Sequence, residues 1–416
     1  MSNISIKLKK QHSTVQAINL PLDSSASYCF LKSLKTVFKT RLALPAVAKL
    51  YCKEWGALRN YGLTAVVIAA MFFTSCQKEK LNDAADLNST ASASSSAQAK
   101  LKWPFPHRGG GGSDDPSGPS SKIDYGAYIG APDGTDDVSF QLNVADQLGI
   151  SCLRERVTVP LLSLGNNLVP ELNTDYKVLL NFCSQNSGSG LIPFVTDLVL
   201  YKLNLNTILN TFTVMPVVAV IENEESNRFF YSGTADQYIS QLSAAIDVMH
   251  ARGIKVANGG ITSTGLNYLV YEDFLDQGKS DSAELFRKLT NVTPNSPITQ
   301  ERGEFVDILL TNYAKMDLDY VNFHWKGSSP DIDALNEVIN YLKKRTRKDI
   351  ISNELGQYDK DPNTLLAQVD LCTNQHFSFI LWYSPDENDN KKGTSLQYDN
   401  GSLTPTGIAY RDYLEE

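Results

Sequence analysis

Histidine is scarce in this chain: five occur in 416 residues, scattered and with no HExxH pair. That argues against a zinc hydrolase of the helix-borne type, which needs two imidazoles on one helix face. Cysteine gives six residues and no CxxC spacing, so neither a zinc ribbon nor a dithiol redox motif is written here. Cys152, Cys183 and Cys372 read as buried thiols. Nor is there a basic stripe. Residues 1–60 carry 10 Lys and Arg against Asp23 and Glu54, which leaves the remainder with 28 basic and 44 acidic side chains, a net charge of −16. Such a surface is a poor partner for nucleic acid, whose affinity rests on neutralised phosphates. The glycine run at 109–112 is followed by Ser113-Asp114-Asp115-Pro116, with no Lys-Ser/Thr and no helix after it, and is not a phosphate loop. Gly260-Ile261-Thr262-Ser263-Thr264-Gly265 lacks the spacing of a nucleophile elbow. No dinucleotide fingerprint opens a helix, and no cofactor is implied.

The first long feature that is present is an uncharged apolar run at 62–73, with Arg59 before it and Thr74-Ser75-Cys76 after it. The run is too short for a comfortable transmembrane helix but fits the apolar region of a signal peptide. A small residue directly before a cysteine resembles the bacterial lipobox. That resemblance implies lipidation of Cys76, a mature chain starting there, and a membrane held through the lipid, at the outer membrane or cell surface. A simple membrane anchor or a buried helix is the other reading of the run. Residues 76–122 contain Ser-, Ala- and Gly-rich stretches that cannot bury enough apolar area to offset their ordering entropy, and they read as a flexible linker. The expected organisation is therefore an extension and signal at 1–75, a linker at 76–122 and one domain at 123–416, monomeric.

That domain of 294 residues is near the usual size of a (β/α)8 barrel. Short apolar runs alternate with amphipathic segments, which implies a parallel sheet. The runs predict strands at 125–129, 150–157, 191–197, 217–221, 255–260, 320–325, 349–353 and 377–382. Ile239, Leu242, Ile246 and Met249 recur with helical period, and Gly253 follows as a stop. Pro330-Asp331 opens another helix, whose Ile332, Leu335, Val338, Ile339 and Leu342 share a face ahead of a basic last turn. Eight such units favour a closed TIM barrel over an open doubly wound sheet.

Two of the predicted strands run into carboxylates. Val217 to Ile221 leads to Glu222-Asn223-Glu224-Glu225, and Ile350-Ile351-Ser352-Asn353 leads to Glu354. Both tips belong to the face of a barrel where loops gather, so the two carboxylates can converge there, as glycosidic bond cleavage requires. In this order and spacing the chain resembles glycoside hydrolase clan A, the TIM-barrel retaining glycosidases. Strands six and seven are similar to family 128, and strand four to family 39.

That resemblance implies Glu224 as the acid/base, Glu354 as the nucleophile and Asn223 as the partner of a sugar hydroxyl. It also implies Arg154 beside the nucleophile, Asn322, His324 and Trp325 at the end of strand six, and Trp382 as the floor of the sugar subsite. Glu222 competes with Glu224, since strand alternation puts both on one face. Arg156 competes with Arg154, and Tyr358 and Asp197 lie on loops at the same face. The implied activity is retaining hydrolysis of a polysaccharide or oligosaccharide. The rival expectation is a carbohydrate-binding barrel without catalysis, whose carboxylates would stand too far apart, and a third is a structural lipoprotein with no sugar site.

Overall fold

A computed structural model describes residues 123–132, 137–159, 175–184, 191–386 and 393–416, together with four short strands near the N-terminus. Contacts divide the chain into two units, Met1–Lys102 and Trp103–Glu416. In the first, Ile4–Ile6 pairs antiparallel with Ile18–Leu20, and Lys9–Lys10 with Ser13–Thr14. The apolar run, Cys76 and the linker lie outside the described residues. No helix among the described residues is long and apolar enough to cross a membrane.

The second unit is a closed parallel barrel. Its strands are β1 (Asp124–Ile129), β2 (Cys152–Thr158), β3 (Lys177–Cys183), β4 (Val218–Ile221), β5 (Lys255–Asn258), β6 (Tyr320–Gly327), β7 (Asp349–Gln357) and β8 (Phe379–Ser384). Each pairs with the next, and β8 closes on β1 through Phe379↔Asp124 to Ser384↔Ile129. This is the (β/α)8 architecture the alternating pattern predicts.

One strand differs from the expectation. The third is Lys177–Cys183, while the segment at 191–197 is an extended connection touching the loop after β4 by a single bridge, Ile192↔Tyr231. Pro193 explains the difference, because a residue without an N–H cannot serve an inner strand. Val178, Leu180 and Phe182 instead face the helices, and Leu179 faces the lumen.

The helices form an outer ring. The predicted periodic segment is the helix Ala235–His250, opened by a reciprocal capping box between Thr234 and Gln237. Three helices, Ser263–Asp276, Ser280–Thr290 and Pro297–Tyr313, fill the long connection from β5 to β6. The helix Ile332–Thr346 ends on Lys343, Lys344 and Arg345, which suits its dipole.

The core has two layers. Within the barrel, Leu179, Val218, Val220, Ala257, Ile351 and Leu381 pack together. Their neighbours along each strand point outward into the larger layer against the helices. This alternation decides which residues reach the barrel mouth. On β8, Leu381 is in the inner layer, whereas Ile380 and Trp382 are in the outer one. On β6, Tyr320 is inner, and Phe323 and Trp325 are outer. Among the described residues the free cysteines are Cys152, Cys183 and Cys372, and each is buried.

Candidate active site

Glu354 sits where β7 breaks its alternation. The β6–β7 register runs Asn322↔Ile351 and then His324↔Glu354, so β7 carries one residue more than β6 over this stretch. A bulge of this kind turns two consecutive side chains to one side. Asn353 and Glu354 accordingly both bond to groups of the barrel mouth. Glu354 takes Arg154 Nη1 at 2.8 Å and Lys326 Nζ at 3.0 Å, and His324 Nδ1 lies 3.5 Å away. Burial alone would raise the Glu354 carboxyl, but the charges of His324, Arg154 and Lys326 outweigh it. They hold the group well below the ordinary carboxylate range.

Glu224 approaches from the turn after β4. It adopts φ 54, in the left-handed region that few non-glycine residues visit. Its N–H donates to Gly259 O at 3.1 Å, which ties the turn to the end of β5. Asn227 Nδ2 holds one carboxylate oxygen at 2.8 Å, and His324 Nδ1 meets the other at 3.1 Å. One oxygen of Glu224, one of Glu354 and a ring nitrogen of His324 all lie within 4.8 Å of one another. Three such donors resemble a metal-ligand set, but Arg154 and Lys326 on Glu354 oppose a cation there.

Glu222 is elsewhere. It too has positive φ, 70, so the alternation that would put it beside Glu224 does not operate. Its carboxylate is fully buried and takes hydrogen bonds from the Ser184 N–H and hydroxyl, Gln241 Nε2 and Tyr231 OH. Burial pushes it upward against those bonds. Glu225 is buried on yet another side, where Oε1 accepts from Asn258 Nδ2 and Tyr313 OH at 2.7 Å each. Burial pushes it up to about 7.

Beneath the two site carboxylates lies a layer of four fully buried asparagines, Asn181, Asn258, Asn322 and Asn353, from β3, β5, β6 and β7. Asn322 is thus part of the support under the carboxylates. Asn258 Oδ1 accepts the Asn322 N–H at 2.7 Å, and Asn322 Oδ1 accepts the Asn353 N–H at 3.0 Å. Asn353 Nδ2 donates to Asn181 Oδ1 at 3.1 Å. Satisfied buried amides of this kind fix geometry, since any broken member leaves an unpaired group in low dielectric. Arg154 completes the frame, donating to Asn181 Oδ1, Glu354 and Asn223 Oδ1 at once. Its competitor Arg156 is exposed. Gly260 makes room for the histidine: it has φ 108, and a Cβ there would stand 2.2 Å from His324 Nε2.

Both tryptophans depart from expectation. Trp382 is 1% exposed, packs in the outer layer and donates Nε1–H to Thr394 O at 2.7 Å. Trp325, 4% exposed, also packs outward. Neither floors the mouth, because both fall on the outward parity of their strands. The aromatic surface there is instead Tyr128 and Tyr383, stacked with centroids 5.4 Å apart. Arg154 lies over the Tyr128 ring and Lys326 over the Tyr383 ring. Tyr358 is half exposed near Lys326 and Glu224; burial raises its phenol, with Lys326 opposing. Asp197 is an N-cap, accepting from Leu200 N.

No protein-family model matches this chain, and no curated protein does. Among solved structures, it is similar to an exo-β-1,3-glucanase of glycoside hydrolase family 128, subgroup VI, from Aureobasidium namibiae. The identity is 10% and the TM-score 0.43, over 71% of this chain and 97% of that one. A subgroup II endo-β-1,3-glucanase from Sorangium cellulosum matches at 14% identity and TM-score 0.45, over 70% and 98%. A subgroup VII oligosaccharide-binding protein from Trichoderma gamsii matches at 11% and 0.40, over 73% and 98%. These are likenesses of fold; the chemistry has to be read from the site itself.

Proposed function

We propose that this chain is a retaining glycoside hydrolase of β-linked polysaccharides or oligosaccharides, with Glu354 as nucleophile and Glu224 as acid/base. The observation that carries the reading is the nearest-oxygen approach of the two carboxylates, within 4.8 Å. Retaining enzymes place the pair about 5–5.5 Å apart, and inverting ones roughly 6.5–9.5 Å, to admit a water. The approach also counts against a binding barrel with separated carboxylates.

In the first step the Glu354 carboxylate attacks the anomeric carbon while Glu224 gives its proton to the departing glycosidic oxygen. In the second, Glu224 takes a proton from water, whose oxygen displaces Glu354 from the sugar. The environments suit these roles: three cationic or proton-bearing neighbours keep Glu354 ionised, and Glu224 shares a hydrogen bond with His324. Asn223 and Arg154 stand beside the nucleophile to meet sugar hydroxyls.

The direct test is release of reducing ends from a panel of β-linked polysaccharides by the wild type and by Glu354→Ala. Turnover confined to the wild type supports the reading, and equal release by both removes it.

The apolar run and Thr74-Ser75-Cys76 support a second, separate proposal: export as a lipoprotein whose mature chain begins at lipidated Cys76. Palmitate labelling that disappears in Cys76→Ser is the expected result. Labelling that persists, or a membrane-bound chain retaining residues before 76, contradicts it.

A further inference from the structure

Lys326 is more than the reaction just described needs, since Arg154 alone suffices to keep Glu354 ionised. A nucleophile needs its charge, yet both oxygens of Glu354 are held by cations: Arg154 on one and Lys326 on the other. The two cations are not equivalent. The Arg154 side chain is 10% exposed, and its nitrogens are engaged by Asn181, Glu354 and Asn223 together. Lys326 is nearly a third exposed, has three donor hydrogens on a flexible stem, and lies over the Tyr383 ring at 4.4 Å. Of the two, it is the cation that can turn to something else.

The charge balance points the same way. Arg154 and Lys326 contribute two positive charges and Glu354 one negative. The short contact between His324 Nδ1 and Glu224 requires one proton between them, so that pair is neutral in sum wherever the proton rests. These five groups thus sum to one surplus positive charge, although the chain as a whole has a net charge of −8. Glu222 and Glu225 do not cancel it at the mouth: both are fully buried and engaged by other partners.

We infer that the site takes an acidic sugar, one bearing a carboxylate or sulfate, whose anion draws the Lys326 ammonium away from Glu354. On this account Lys326 sets specificity, and binding of the right sugar releases the nucleophile from one of its two cations. The Tyr128–Tyr383 pair provides aromatic surface beside the same ammonium. A neutral sugar leaves Lys326 on Glu354 and meets a weakened nucleophile. The inference rests on the proposed glycosidase reading for its catalytic half but not for its binding half.

The test is binding by the full chain carrying Glu224→Gln, measured calorimetrically. The ligands are β-linked uronate oligosaccharides of several linkages, each paired with its carboxyl-reduced neutral counterpart, and sulfated oligosaccharides paired with desulfated ones. At least one acidic member is expected to bind tenfold or more tighter than its neutral partner. The preference should weaken with salt. Adding Lys326→Met should abolish it, and Lys326→Arg should restore part of it. Neutral and acidic partners binding alike, a preference that survives Lys326→Met, or no binding to any acidic member each overturns the inference. Lys326-dependent acidic binding, with no turnover of the same ligands by the wild type, would sink the hydrolase reading and leave this one standing.

Discussion

His324 donates its Nε2–H to the Asn353 side-chain oxygen at 2.9 Å, and the direction of that bond is set by the layer beneath. Asn322 Oδ1 accepts a backbone N–H, so the other atom of its amide is the nitrogen, which donates to Asn353 Oδ1 at 2.8 Å. Asn353 Oδ1 is therefore an acceptor and Nε2 must be the donor. That leaves Nδ1 facing Glu224, able to share its proton. Asn353→Leu removes the acceptor. The expected result is a loss of roughly 10–100-fold in kcat with KM little changed, smaller than the 10²–10⁴ of a lost general acid. The limb of the pH profile that reports the acid should move as well. An unchanged limb with equal losses in kcat and Tm would mean the asparagine is only structural.

Glu222 and Glu224 separate function from stability although only one residue lies between them. Glu222→Ala strands a half-buried serine and a buried glutamine and tyrosine that now share one carboxylate, and is expected to destabilise the fold by about 3 kcal/mol. Glu224→Ala relieves a positive-φ site of its carboxylate at the open mouth and should leave the urea midpoint within the equivalent of about 1 kcal/mol, while activity falls. Chemical denaturation of both variants, with activity assayed in parallel, checks the split. A stable, inactive Glu222→Ala would reverse the assignment.

Glu225 makes stability depend on pH in the direction opposite to most carboxylates. Its folded value is raised to about 7, so between the ordinary glutamate range and neutrality the folded chain keeps a proton that the unfolded chain gives up. Stability is therefore lost as pH rises from about 4.3 to about 7, by roughly 3–4 kcal/mol from this group alone. Glu222, raised in the same direction, adds to the loss, whereas Glu354, held low, contributes stability that is lost on acidification below the ordinary range. The Glu225→Gln variant should show a flatter stability–pH profile from 5 to 7.5. A profile parallel to the wild type would mean that Glu225 titrates normally.

The barrel was legible because its strands are apolar runs that alternate with amphipathic helices, a pattern of local residues. The carboxylate pair was legible because each glutamate follows such a run. What escaped depends on features with no local signature. A proline-bearing segment at 191–197 has the look of the third strand, in place of Lys177–Cys183, whose lysine start and central Asn181 dilute its apolar character. The resemblance to clan A implies Trp382 and Trp325 at the sugar; parity along β8 and β6 sends both outward, and Tyr383 and Lys326 inward. The β7 bulge, which brings Asn353 and Glu354 to one side, and the positive φ values of Glu222 and Glu224 both break the period-two rule. Each is a backbone irregularity at the site itself, where consistency between sequence pattern and structure is most often given up.

The assignment of nucleophile and acid/base is tested most directly by azide rescue on an activated aryl glycoside, with the anomeric configuration of the glycosyl azide read by proton NMR. In Glu224→Ala the glycosyl-enzyme still forms on Glu354, and azide attacks it from the face the leaving group vacated. The account predicts rescue and a glycosyl azide of retained configuration. In Glu354→Ala azide replaces the missing nucleophile, and the product should be inverted. The opposite pairing of variants and products, or inverted azide from both, would contradict the double-displacement mechanism on Glu354.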